Sequence, residues 1–128
     1  MCNKSGCNHL GGTIVLTISR DALKAAIDRR EPLILLEALP PMYFEDAHLP
    51  GALNMPHDRV NELAADLIPS QDAQVVVYCA NLPCQNSAIA AAHLAKLGYT
   101  NVREYAEGKE DWIEAGLPIE RGAAAPVR

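Results

Sequence analysis

At 128 residues, 49% apolar and 21% charged, the chain has the length and balance of one folded domain rather than of a disordered, collagen-like or membrane-embedded protein. Only 5% is aromatic, so aliphatic side chains must fill the core. The 11 Lys and Arg against 16 Asp and Glu give a net charge of −5, the wrong sign for a phosphate-neutralising surface, which argues against nucleic acid as a partner.

In chain order, residues 1–12 are polar and carry Cys2, Cys7 and His9, with no basic start, apolar run and cleavage site. No secretory signal is read there, so a flexible tail and a reducing cytoplasm are expected. Thr13 to Thr17 are rich in β-branched types and predict a strand; Ser19 then stands at an N-cap before a helix over Asp21 to Arg29. Leu33 to Leu36 are a continuous apolar run, too short for a helix, which predicts a strand covered on both faces and ended by Pro40 and Pro41. A short helix is read at Met42 to Ala47. His48-Leu49-Pro50-Gly51-Ala52-Leu53-Asn54-Met55-Pro56 follows as a turn with a short strand, and Arg59 to Leu67 as a helix.

Gln74 to Tyr78 give the strongest strand signal in the chain, immediately followed by Cys79. The segment Ala73 to Ala95 lacks Asp, Glu, Lys and Arg, but Asn81, Pro83, Gln85, Asn86 and Ser87 interrupt it, so it reads as strand, loop and helix rather than as a membrane span. The helix, Ser87 to Leu97, stops at Gly98; Asn101 to Tyr105 predict a further strand, and Lys109 to Ala115 a last helix stopped by Gly116. Residues 13–122 thus form one α/β domain, a mostly parallel central sheet flanked by helices on both faces, followed by a frayed tail at 123–128. Sites in such sheets lie at the carboxyl ends of strands.

Cys79 occupies such an end, facing a helix N-terminus across a loop. Backbone N–H groups and the helix dipole can stabilise a thiolate there, so the thiol is expected to fall below about 8.5. The bland alternative is a small buried residue closing the strand.

At this point the sequence resembles the rhodanese superfamily of single-domain sulfurtransferases, from roughly Ile14 to Arg121. The segment His48 to Pro56 is similar to the family's His-hydrophobic-Pro-Gly-Ala-x-Asn-hydrophobic-Pro motif, and Val75 to Cys79 to its nucleophile strand. Gly108-Lys109-Glu110-Asp111-Trp112 with Gly116-Leu117-Pro118 is similar to its closing motif. The resemblance implies sulfur transfer through a persulfide on Cys79, with substrate bound by Ala80, Asn81, Leu82, Pro83, Gln85, Asn86 and Ser87. It implies no organic cofactor and no metal. The expected partners are a small-molecule sulfur donor (thiosulfate, persulfide or polysulfide) and a thiol or cyanide acceptor, with a protein thiol as a further candidate. His48 is expected to brace its turn, Trp112 to anchor the last helix, His93 to be packed or solvated, His57 to stand near the pocket, and Glu37 either to hold backbone donors near that pocket or to pack at its strand end.

The loop departs from the family pattern. It is two residues longer than the common form, Cys84 lies in the extension, and Asn86 stands where many members place an arginine. The family's Asp-x-Arg, eleven residues before its His, is here Glu37-Ala38-Leu39. A divalent anion entering such a pocket lacks compensating charge, so thiosulfate is expected to be a poor donor and less charged sulfane-sulfur donors better ones. Cys84, at Cys-x4-Cys spacing from Cys79, is a candidate resolving thiol, the bland alternative being a loop cysteine packed beside the insertion.

Three alternatives stand beside this reading. A phosphatase or arsenate reductase would need an arginine about six residues after the cysteine to clamp an oxyanion, and none is there. Cys2 and Cys7 repeat the spacing of Cys79 and Cys84, so a four-cysteine zinc site is an option if the pairs meet, with His9 as a substitute ligand. A rhodanese-like binding module would keep the fold without the chemistry.

Overall fold

The computed structural model describes residues 15–122. Its elements are β1 (Leu16–Thr17), α1 (Arg20–Asp28), β2 (Ile34–Glu37), α2 (Pro41–Asp46) and β3 (Leu53–Asn54). A 3-10 turn (His57–Arg59) leads into α3 (Val60–Leu67), β4 (Val75–Tyr78), α4 (Asn86–Lys96), β5 (Val102–Tyr105) and α5 (Gly108–Glu114). All five strands pair in parallel, in the order β1-β5-β4-β2-β3.

The α/β architecture is the expected one, and the boundaries move by a residue or so at most elements. Ser19 caps α1, its Oγ accepting from Ala22 N–H at 3.1 Å. Strand β2 begins and ends one residue later than expected and so includes Glu37. The start of the first expected strand, Thr13 and Ile14, lies outside the described residues, as do residues 1–12 and 123–128 with Cys2, Cys7 and His9.

Alternation along the strands builds two cores. Leu36, Val75, Val77 and Val102 face α3 and α4, packing on Val60, Ala64, Ala90, Ala91 and Leu94. Leu35, Val76, Tyr78 and Tyr105 face the other way, onto Leu23 of α1, Phe44 of α2 and Trp112 of α5. Every residue of β4 is buried because this central strand is covered on both faces, which is why its apolar run is unbroken. Trp112 anchors the second core as expected, wholly buried, with Nε1–H donating to Pro118 O at 2.7 Å.

The helices after β4 and β5 go to opposite faces of the sheet, α4 to the first core and α5 to the second. Adjacent parallel strands whose connections diverge in this way open a crevice at their carboxyl ends. Cys79 lies at that crevice.

Candidate active site

The loop from Cys79 to Gln85 is held from beneath by the start of α5. Lys109 N–H donates to Cys79 O and Glu110 N–H to Ala80 O, both at 2.8 Å. This approach requires a glycine at 108: its φ is +77°, and a Cβ there would stand 2.6 Å from Cys79 O and 2.8 Å from the carbonyl carbon of Ala80. Asn81 ties the loop laterally, donating from Nδ2 to Glu110 Oε2 at 3.0 Å and accepting at Oδ1 from Cys84 N–H at 3.2 Å.

Cys79 is 1% exposed, beneath this loop, while Leu82, Pro83 and Gln85 face solvent. Its Sγ stands 3.5 Å from Cys84 O and 3.4 Å from Ser87 Oγ. Ser87 Oγ in turn donates to Glu104 Oε2 at 2.7 Å. Cys79 and Cys84 are both free thiols.

This geometry corrects three expectations. Burial pushes the Cys79 thiol up rather than down, Cys84 pushes it the same way, and Ser87 only partly opposes them. At Cys84 it is the carbonyl, not the amide, that faces the sulfur, because Cys84 N–H is directed to Asn81. Ser87, expected among the substrate-binding residues, is itself 1% exposed and engaged with Cys79 and Glu104.

Glu37 is wholly buried at the end of β2, the packed alternative of the two expected for it. Its carboxylate accepts from Tyr78 OH at 2.7 Å and from Lys109 Nζ at 3.0 Å, and burial nevertheless pushes its carboxyl upward. Lys109 Nζ also donates to Tyr43 O at 2.8 Å and Ala47 O at 2.5 Å. One residue therefore anchors the loop through its backbone and the β2 end and α2 through its side chain. His57 begins the 3-10 turn; its Nδ1 is buried with no protein hydrogen-bond partner, and no hydrogen bond joins it to Cys79. His48 braces its turn as expected, with Nδ1 2.8 Å from Phe44 O and its ring stacked on Phe44. His93 Nε2 pairs with Asn61 Oδ1 at 3.0 Å on the surface.

Beside the loop, a cleft of about 260 Å³ runs between Asn81, Leu82 and Pro83 on one side and Glu107, Glu110, Asp111 and Glu114 on the other. Its walls carry four carboxylates and no basic side chain. Sequence reading assigned no role to these acids, to Glu104 or to a buried Lys109. The one available signal was the charged pair Arg103-Glu104 inside an otherwise apolar strand.

Among the described residues, no group of three or more His, Cys, Asp and Glu is placed to hold a metal ion. Cys2 and Cys7 of the four-cysteine alternative lie outside those residues. No described helix is long and apolar enough to cross a membrane.

The sequence profile of the rhodanese-like domain matches residues 19–115. The HTH-type transcriptional regulator Rv0324 of Mycobacterium tuberculosis is 31% identical over 113 residues, covering 85% of this chain and 49% of that protein. The putative sulfur carrier protein YrkF of Bacillus subtilis is 27% identical over 95 residues, covering 74% and 49%. The chain thus spans about half the length of these curated relatives. Among solved structures, a thiosulfate sulfurtransferase from Pseudomonas aeruginosa matches with a TM-score of 0.76 and 27% identity over 84% of this chain and 20% of that one. A rhodanese with anions from E. coli matches with a TM-score of 0.60 and 30% identity over 70% of this chain and 99% of that one. With this match across most of its length, and with the parallel sheet and the cysteine at the end of its central strand, the chain belongs to the rhodanese-like domain family.

Proposed function

We propose that the protein is a sulfurtransferase that carries sulfane sulfur on Cys79, with a persulfide, a polysulfide or another donor of low charge as its preferred source. The observation that carries this reading is the position of Cys79 at the carboxyl end of β4, in the crevice where α4 and α5 diverge, with a hydroxyl and a second thiol-bearing residue beside its sulfur. Attack of the Cys79 sulfur on the outer sulfur of a persulfide R–S–SH forms the Cys79 persulfide and releases R–SH, the proton passing from one thiol to the other. A thiol or cyanide then removes the sulfur.

The charge of the surroundings supports the donor preference. Thiosulfate would bring two negative charges into a loop without Lys or Arg, beside a cleft walled by Glu107, Glu110, Asp111 and Glu114. Asp111 is paired with Arg20, and the remaining like charges disfavour both approach and desolvation.

Cys84 serves as a resolving thiol in this reading, since its own carbonyl contacts the Cys79 sulfur and the two residues share the loop interior. Its sulfur attacks the inner sulfur of the Cys79 persulfide and displaces hydrosulfide. The sulfane sulfur is reduced, the two cysteines are oxidised to a disulfide, and a thiol reductant resets the loop.

Intact mass under non-reducing conditions, after separate exposure to thiosulfate and glutathione persulfide, tests the reading. One added sulfur, larger with the persulfide and lost in Cys79→Ser, is expected. Equal or better loading by thiosulfate would overturn the donor preference. No loading from either donor would favour a binding module, and loading lost only in Cys84→Ser would move the carrier role to that residue.

A further inference from the structure

The environment of the Cys79 sulfur contains a hydrogen-bond competition that the transfer reaction does not require. Ser87 has one hydroxyl proton. It is directed to Glu104 Oε2 at 2.7 Å, and a carboxylate is a stronger acceptor than a thiol. With that proton committed, the 3.4 Å contact between Ser87 Oγ and Cys79 Sγ must be made by the thiol as donor. The carbonyl of Cys84, at 3.5 Å from the sulfur, also only accepts, so the single thiol proton is shared between the two oxygens. Neither oxygen donates to the sulfur, and the Ser87 backbone N–H, which favours the thiolate, opposes them.

Glu104 is placed for this by the sheet. It stands opposite Val77 in the β4–β5 register, on the side of the sheet that α4 covers, so its carboxylate meets the first turn of α4 where Ser87 lies. Besides the Cys84 thiol, which itself pushes Cys79 up, the ionisable groups at this end of the sheet that make side-chain hydrogen bonds make them elsewhere. Glu37 is bound by Tyr78 and Lys109, Asp111 by Arg20 and Tyr105, and Glu110 by Asn81. Among these contacts, only Glu104 reaches the sulfur through a single shared hydroxyl.

We propose that Glu104 is a positioning residue for the nucleophile: by holding the Ser87 hydroxyl proton it withholds that donor from the sulfur and keeps Cys79 a thiol in the resting protein. Formation of the thiolate then requires Ser87 to turn from Glu104 to the sulfur. The upward push on the Cys79 thiol from burial and from Cys84 acts in the same direction, with Ser87 partly opposing it. A protonated sulfur is a poor target for oxidants, so the arrangement limits oxidation between turnovers. The inference rests on Cys79 being the reactive group.

The test is a pH titration of the Cys79 thiolate by ultraviolet absorbance, each protein read against its own Cys79→Ser counterpart. Glu104→Gln removes the charge and leaves a weaker amide acceptor, which loosens the hold on the Ser87 hydroxyl proton. It is expected to lower the midpoint by about one pH unit, which is about a tenfold larger thiolate fraction at neutral pH. Glu104→Asp, with the carboxylate drawn back, is expected to move it the same way by a smaller step and supplies the result if the glutamine variant does not fold. In a Ser87→Ala background the Glu104→Gln shift is expected to fall to less than half. An unchanged or raised midpoint in the Glu104 variants would overturn the proposal, and so would a full shift without Ser87. Sulfur loading of the wild-type protein, measured by mass, separately decides whether Cys79 is the carrier.

Discussion

Replacing Lys109 by methionine keeps most of its volume and removes its charge. In the wild type, Nζ is 3.0 Å from Glu37 Oε2, and the two side chains are 11% and 0% exposed. The same ammonium satisfies the carbonyls of Tyr43 and Ala47. Lys109→Met therefore leaves a buried carboxylate with only the Tyr78 hydroxyl and two carbonyls without their charged donor. Breaking one side of a buried ion pair costs about 3–5 kcal/mol, far more than an intact pair contributes relative to apolar residues of the same shape. At about 2 kcal/mol per molar, the urea midpoint should fall by roughly 2 M. The loss depends on pH with a definite sign. Burial already raises the Glu37 carboxyl, and losing Lys109 removes two influences that hold it down. A carboxyl raised in the folded state penalises folding once the pH exceeds its unfolded value, and the penalty is complete above its folded value. The deficit of Lys109→Met relative to wild type should thus be largest at neutral pH and shrink as the pH falls toward the ordinary glutamate value of 4.5. Adding Glu37→Gln should recover part of the loss at neutral pH. Urea unfolding at several pH values checks this. A loss under about 1 kcal/mol, or one that neither acid nor Glu37→Gln relieves, would refute the buried-pair argument.

Gly108→Ala places a Cβ 2.6 Å from Cys79 O at a φ of +77°. Left-handed strain alone costs about 1–2 kcal/mol, and the clash with loop backbone adds to it. Thermal melting should therefore show a loss of about 2 kcal/mol or more, with slower sulfur loading by mass; a neutral variant would mean that the loop tolerates displacement. In Cys84→Ser the Cys79 persulfide should outlive that of the wild type, sulfide release without added acceptor should fall, and no disulfide should form within the loop. Unchanged sulfide release would remove Cys84 from the reaction.

Much of the fold was legible because its signals are local. Val-Val-Val-Tyr is a strand buried on both faces whatever surrounds it, and Ser19 caps α1 through its own hydroxyl. Alternating strands and helices leave few arrangements besides a parallel sheet covered on both faces. The position of Cys79 at a strand end was equally readable, since it needs only the strand and the next helix.

The environment of Cys79 was not readable, because it is assembled from segments far apart in the chain. Lys109 looks like a solvated helix start until α5 docks beneath the cysteine loop and carries its ammonium to Glu37, 72 residues away. Glu104 meets Ser87 only because β5 pairs with β4 and α4 crosses the same face. Sequence reasoning anticipated a sulfur stabilised by amides and a helix dipole. Burial and Cys84 instead push the thiol up, with Ser87 partly opposing them, and the Ser87 hydroxyl proton is directed to Glu104. The sequence by itself determined the elements, their order and the residue at the end of the central strand, since these follow from periodicity and neighbouring residues. The tertiary structure alone decided the surroundings of that residue, because desolvation and hydrogen bonds depend on which distant groups the fold brings within about 3 Å.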